Sequence, residues 1–211
     1  MKIFVTKFTS YQPSHENPAE QPKLEYVDSL FRRRLSQVTR MTIEVVHELV
    51  ESESENAALK LVFASFRGEI ARQLKINKGL VEDADVMPAQ FSLSVFNTPP
   101  AATTIALKMK AGYTAIYPSE DNFASAFLAA SSSVLCGAEK KIIFAYADEK
   151  IPEEYANCKG YSEELPLAFA CVLSSEKSDG AREIDLDGEN WKKISQTPRE
   201  FLSFMQKAAL S

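Results

Sequence analysis

Hydrophobic and polar positions along this chain alternate between a two-residue and a three-to-four-residue rhythm. Ile3 and Val5 alternate with polar neighbours from Lys2 to Phe8, which predicts a half-buried strand. Residues 11–30 hold Pro13, Pro18 and Pro22 among polar side chains and predict a surface loop. Leu35, Val38, Met41, Val45 and Leu49 then recur at helical spacing, with Ser36 placed to cap the first turn. An acidic stretch, Glu51 to Glu55, ends that helix in solvent. Residues 59–65 predict a second strand, after which Gly68 turns the chain into a helix starting near Glu69. Residues 86–91 lead into the segment 92–97, and Pro99 and Pro100 restart a helix that Gly112 stops. Tyr113 to Tyr117 predicts a third strand. Pro118 and Ser119 initiate a helix with Phe123, Phe127, Ala130 and Val134 on one face, and Gly137 terminates it. Residues 141–147 and 167–173 are continuous apolar runs that predict buried fourth and fifth strands. From Pro198, the residues Phe201, Phe204, Met205 and Ala208 recur at helical spacing and predict a docked tail.

Strands that alternate with helices imply an α/β fold, here a mainly parallel five-stranded sheet with helices on both faces. No repeat or linker divides the chain, so residues 1–211 are expected to form one domain with a helical extension at its C-terminal end. A hydrophobic content of 45% with 25% charged residues is enough for a packed core and argues against global disorder. The net charge of −5 disfavours non-specific nucleic-acid binding. No apolar run approaches the ~20 residues of a membrane span, and the apolar start is too short for a secretory signal. The expectation is a soluble, cytoplasmic protein.

Candidate chemistry is sparse. With 7 glycines there is no GxGxxG or GxxxxGK[ST] motif, so no dinucleotide or P-loop cofactor is expected. No metal-ligand spacing occurs, and Ser131 to Ser133 lack the glycine-flanked elbow of a serine hydrolase. Cys136 and Cys171 are read as small buried hydrophobes, and Cys158 sits in a polar loop with nothing nearby to activate it. The acid pairs Asp148–Glu149 and Glu153–Glu154 are read as solvated surface. The only histidines, His15 and His47, precede the α/β body, so imidazole chemistry has little to draw on there. Arg32, Arg33 and Arg34 form a basic cluster in an acidic chain. They are either a solvated helix start or a docking point for an acidic partner.

Four segments carry a resemblance: residues 31–41 (FRRRLSQVTRM), 63–70 (FASFRGEI), 91–97 (FSLSVFN) and 142–148 (IIFAYAD). In that order they resemble the ketosynthase-like N-terminal domain. More narrowly, they are similar to the short β-ketoacyl synthase chain length factors of bacterial aryl polyene clusters, over roughly residues 1–175. The resemblance implies a thiolase-like fold amounting to approximately one half of a ketosynthase. Active ketosynthases place a cysteine at the strand-to-helix turn matching Tyr117 to Asn122 and take two histidines from their second half. Aligned on Asn97 the cysteine position is Glu120, and aligned on Gly112 it is Asp121; either way a carboxylate replaces the thiol. The short family commonly has histidine where this chain has Phe96.

The resemblance therefore implies a non-catalytic subunit of polyene or fatty-acid-like (type II polyketide) biosynthesis. It would pair as a heterodimer with a catalytic β-ketoacyl synthase through the strand Tyr113, Thr114, Ala115, Ile116 and Tyr117. Phe66, Gln90, Phe91 and Phe96 would line an acyl tunnel, although Phe66 and Phe91 also suit a core. An acyl carrier protein would bring its own phosphopantetheine, with Arg32, Arg33 and Arg34 as contacts, so the chain needs no cofactor. Two other readings remain open: a stand-alone carrier-protein-dependent hydrolase or decarboxylase using Glu120 or Asp121, and a structural homodimer that binds carrier protein.

Overall fold

The computed structural model describes residues 1–52, 54–82, 84 and 88–208, apart from the side chains of Ser54, Ala89, Asp121 and Ala208. Six strands form one sheet: β1 (Lys2–Tyr11), β2 (Lys60–Ala64), β3 (Tyr113–Ile116), β4 (Lys141–Asp148), β5 (Leu167–Ser174) and β6 (Arg182–Asp185). Their order across the sheet is β3-β2-β4-β5-β1-β6. Between the strands run α1 (Ser29–Arg32), α2 (Gln37–Ser52), α3 (Ile70–Glu82), α4 (Pro88–Phe91), α5 (Thr98–Ala106) and α6 (Phe123–Leu135), and α7 (Glu189–Ile194) and α8 (Pro198–Ala208) close the chain.

The sheet is mixed, which corrects the expectation of a mainly parallel five-stranded one. β2 pairs in parallel with β3 and β4, whereas β4–β5, β5–β1 and β1–β6 are antiparallel. The cause lies in the connections. A parallel neighbour needs a crossover helix to carry the chain back, and β2 is followed by α3 and β3 by α6. Between β4 and β5 there is only a loop with a short 3-10 turn at Glu153–Tyr155, so the chain returns antiparallel, with Lys141 opposite Ser174 and Asp148 opposite Leu167.

Both faces of the sheet are covered, as the continuous apolar runs require. Ile142, Phe144 and Tyr146 of β4 and Phe169 and Cys171 of β5 point to one face, where they meet Phe123 and Phe127 of α6, Trp191 of α7 and Phe201 of α8. Ile143, Ala145, Ala170 and Val172 point to the other, against Val38, Met41, Val45 and Leu49 of α2. Each such large side chain, fully buried, stabilises the fold by about 1.5–3 kcal/mol. The expected tail helix is present, with Phe201 and Met205 buried. Ser36 caps α2 as expected, its Oγ accepting from the Thr39 amide at 3.2 Å. Cys171 is buried, but Cys136 is exposed. It sits on the C-cap of α6, where the chain leaves the sheet, rather than on the buried face.

Candidate functional site

The turn Ser65–Glu69 between β2 and α3 is held by several side-chain hydrogen bonds. Ser65 Oγ accepts from the Gly68 amide at 2.7 Å and the Arg67 amide at 3.2 Å, and donates to Asp148 Oδ1 at 2.6 Å. Asp148 reaches this turn because β4 runs parallel to β2 and Tyr146 pairs with Ala64. Its carboxylate also accepts from the Phe66 amide at 3.1 Å, the Arg67 amide at 3.0 Å and the Tyr146 hydroxyl. Burial pushes the Asp148 carboxyl above the ordinary carboxylate range, and these four donors oppose that rise. Gly68 has φ +56, and a Cβ there would lie 2.8 Å from Phe96 Cδ2. Glycine alone satisfies both the conformation and the contact.

Beside the turn lie two more interior carboxylates. Glu69 is fully buried and accepts from Ser36 Oγ and Thr39 Oγ1, both at 2.6 Å, while Arg72 Nε donates to it at 2.9 Å. Glu149 is 7% exposed and accepts from the Ala71 amide at 3.0 Å in the first turn of α3, with the Val38 amide of α2 close by. Burial, with Glu69 and Asp148 close by, raises its pKa from 4.5 to about 7 against those amides. The surface reading of Asp148 and Glu149 is therefore corrected: Glu149 is buried, and Asp148 is half-buried with its oxygens tied into the strand-end turn. Glu153 and Glu154 are exposed as expected. Asp148 escaped the sequence reading because adjacent acids resemble solvated surface. The available signal was its place at the end of a buried strand in a parallel pair, where backbone N–H groups converge.

The second element is the connection from β3 to α6. β3 is an edge strand, paired only with β2 among the described residues. Ser119–Asp121 forms a 3-10 turn in which Glu120 takes φ 54 and ψ 33, a left-handed conformation uncommon for a residue with a Cβ. α6 therefore starts at Phe123, later than Pro118 and Ser119 suggest, and Asn122 caps it by accepting from the Ser125 amide at 3.0 Å. Glu120 is exposed and lines an open recess with Asn122, Trp191 and Lys192. The side chain of Asp121 lies outside the described residues.

Between these elements lies a cleft of about 520 Å³ walled by Phe66, Phe96, Tyr117, Tyr155 and Tyr161, with Arg67 at its side. The Phe66 ring meets the Tyr146 ring edge-on at 5.3 Å, and Phe96 meets Tyr117 in the same way at 5.5 Å. Arg67 lies over Phe66, 5.8 Å from the ring centre, and donates through Nη2 to the Gly160 carbonyl at 3.2 Å. The cleft thus gathers Phe66 and Phe96, together with Tyr117, from separate segments. Gln90 and Phe91 lie elsewhere. Phe91 is 59% exposed, and Gln90 lines another cleft of about 600 Å³ with Arg33, Arg34, Lys75 and Lys150. Arg32 turns away from that cleft, donating to the Lys23 and Leu24 carbonyls. Cys158 opens onto the aromatic cleft. Tyr155 and Tyr161, in a loop without periodicity, gave no sign in the sequence of reaching it.

Among the described residues no cluster of histidine, cysteine, aspartate or glutamate is arranged to hold a metal ion, and no helix is long and apolar enough to cross a membrane.

Comparison with known proteins places this geometry. No curated protein sequence matches the chain. Among solved structures, it is similar to a chain in the complex of the ketosynthase ApeO with its chain length factor ApeC from Xenorhabdus doucetiae. The TM-score is 0.70 and the identity 20%, over 84% of this chain and 81% of that one. It is also similar to the ishigamide ketosynthase/chain length factor, with TM-score 0.65 and 12% identity over 85% of this chain and 64% of that one. A third likeness is to a β-ketoacyl synthase from Burkholderia phymatum, with TM-score 0.57 and 12% identity over 74% of this chain and 46% of that one. The chain thus spans less than two thirds of the second and third of these. At such identities the likenesses show the fold, which is α/β and thiolase-like with a mixed sheet flanked by helices. The family model for the β-ketoacyl synthase N-terminal domain matches residues 8–207, so the chain belongs to that family.

Proposed function

We propose that this protein is a non-catalytic ketosynthase-like subunit, a chain length factor that pairs with a catalytic β-ketoacyl synthase in polyene assembly. The observation that carries the reading is Glu120. It takes the left-handed position of the strand-to-helix turn, and the resemblance puts the cysteine of condensing enzymes at Glu120 or the adjoining Asp121, a carboxylate in either register. A carboxylate there faces the start of a helix favourably but forms no thioester. None of the three cysteines stands in for it: Cys136 follows α6, Cys158 lies in the loop after β4, and Cys171 is buried in β5, where desolvation pushes its thiol far above the ordinary range.

Pairing would use the free edge of β3. Its neighbours α5 and α6 pack against that strand and expose Ile105 and Leu128, and Tyr117 just beyond it is 64% exposed. An edge strand flanked by apolar side chains is a ready surface for a partner strand. The X. doucetiae complex supports the reading, because its matched chain has nearly the length of this one, as the similar coverage on both sides requires. In this arrangement the aromatic cleft receives the growing acyl chain, and its walls limit elongation by excluded volume. Arg33 and Arg34, with Lys75 and Lys150, face an acidic carrier protein that delivers the chain on its phosphopantetheine.

Co-expression with a candidate catalytic ketosynthase, followed by size-exclusion chromatography and assay with malonyl-carrier protein, tests the reading. A one-to-one complex is expected, with condensation only when the partner is present. Decarboxylation or hydrolysis of acyl-carrier protein by this chain alone would overturn it in favour of a carboxylate-based enzyme. Persistence as a homodimer in the presence of a ketosynthase would favour a structural role.

A further inference from the structure

The aromatic cleft has its two principal walls, Phe66 and Phe96, on segments far apart in sequence, and one carboxylate links them. The Phe66 amide, the Arg67 amide, the Ser65 hydroxyl and the Tyr146 hydroxyl all donate to Asp148. These bonds fix the turn that carries Phe66. Ser65 Oγ passes the constraint one step further by accepting from the Gly68 amide at 2.7 Å. Gly68 is the seat of Phe96, whose ring occupies the space that a Cβ would fill. Tyr146 acts twice, with its hydroxyl on Asp148 and its ring edge on Phe66 at 5.3 Å. The chain of contacts runs from Asp148 to Phe66 by one hydrogen bond, and to Phe96 by way of Ser65 and Gly68.

We infer that Asp148 is a positioning residue that holds Phe66 and Phe96 in place as the walls of the cleft, and so sets which apolar chains the cleft admits. The consequence for chain selection rests on the acyl-site reading above; the positioning itself does not. Withdrawing a carboxylate from water is unfavourable unless its oxygens are satisfied by donors. Here the donors come from the turn whose side chain forms the cleft, so the turn is held in one geometry rather than several. A cleft built from rings alone would tolerate small shifts of each ring, because dispersion contacts are non-directional.

Two readouts on the full chain separate the two parts of this inference. The first is amide hydrogen exchange in wild type, Asp148→Asn and Tyr146→Phe. In Asp148→Asn the Phe66 and Arg67 amides are expected to exchange on the order of tenfold faster while central β5 amides keep their rates. Tyr146→Phe leaves the carboxylate in place and is expected to shift the same amides less, which keeps the test open if Asp148→Asn fails to fold. The second readout is calorimetric titration with sodium octanoate and sodium dodecanoate. The ratio of the two affinities is expected to change by about threefold or more in Asp148→Asn, in the direction that Phe66→Ala produces. Wild-type exchange at Phe66 and Arg67 in both variants would overturn the inference. So would an equal loss of affinity for both acids, the signature of a purely structural effect. Wild-type protein that binds neither acid would overturn the acyl-site reading, and the exchange rates would still decide the role of Asp148.

Discussion

Glu149 sits where α2 and α3 begin, its carboxylate accepting from the Ala71 amide with the Val38 amide close by. Desolvation raises its pKa from 4.5 to about 7, so the folded protein holds this proton more tightly than the unfolded chain does. Between those two values the native state binds more protons than the unfolded state, and stability falls as pH rises. Below pH 4.5 the group is neutral in both states; above about 7 it is charged in both, and the burial penalty is complete. Glu149→Gln keeps an acceptor for one amide and removes the charge. The variant is therefore expected to gain on wild type as pH rises from 4.5 to 7, by up to about 1.4 kcal/mol per pH unit, and to gain nothing further above that. Urea denaturation of both proteins across this range checks it; parallel pH profiles would refute it. Asp148 and Glu69 lie close to Glu149, so the difference between the two proteins reads the Glu149 charge together with its repulsion from these neighbours. None of this was readable from two adjacent acids. It depends on β4 delivering them to the point where two helices begin, a juxtaposition created by strand pairing 80-odd residues apart. The aromatic walls are more legible: of the four lining residues that the resemblance implies, Phe66 and Phe96 reach one cleft, while Gln90 and Phe91 lie elsewhere.

At the scale of elements, strongly patterned segments were legible and weakly patterned ones were not. β1 to β5 and α2, α3, α5, α6 and α8 are present close to where periodicity and turn residues put them, most plainly α2, β4 and β5, which bury a continuous face. β6 was missed because it has four residues and only Ile184 is buried, too little for a two-residue rhythm to stand out. Strand direction was misjudged for a different reason. Direction follows from what lies between strands, and the segment between β4 and β5 has no helix to take the chain back across the sheet. The start of α6 shows the same limit on a small scale. Pro118 is a helix-starting residue, but the left-handed Glu120 interrupts the path, and Asn122 opens the helix through its bond to the Ser125 amide. Replacing that cap, Asn122→Ala, is expected to cost about 1 kcal/mol. In a chain of 211 residues this lowers the melting temperature by roughly 2–4 °C. Calorimetry measures it, and an unchanged melting temperature would show that another group satisfies the Ser125 amide.

For the molecule as a whole, the sheet has two unequal ends. β6 at one end lies beside the closing helices, while β3 at the other stands between α5 and α6, which carry apolar side chains open to solvent. Ile105 is 67% exposed on α5 and Leu128 is 37% exposed on α6. A single exposed apolar residue needs no explanation, but two on the helices that flank an unpaired strand edge form the border of a surface suited to strand addition. The distinction between stability and association makes this testable. In the isolated chain Ile105→Glu changes a solvated position, so its unfolding free energy is expected to stay within about 0.5 kcal/mol of wild type. In a complex formed through β3, the same carboxylate would be buried without a partner, a penalty of about 3–5 kcal/mol, which weakens association by roughly two to three and a half orders of magnitude. The expected result is a monomer that melts as wild type does but no longer co-elutes with the ketosynthase, with Leu128→Glu also losing the complex from the opposite side of the strand, at some cost in stability because Leu128 is only 37% exposed. If both variants bind the ketosynthase as tightly as wild type, the partner docks elsewhere, and the free edge of β3 plays no part in assembly.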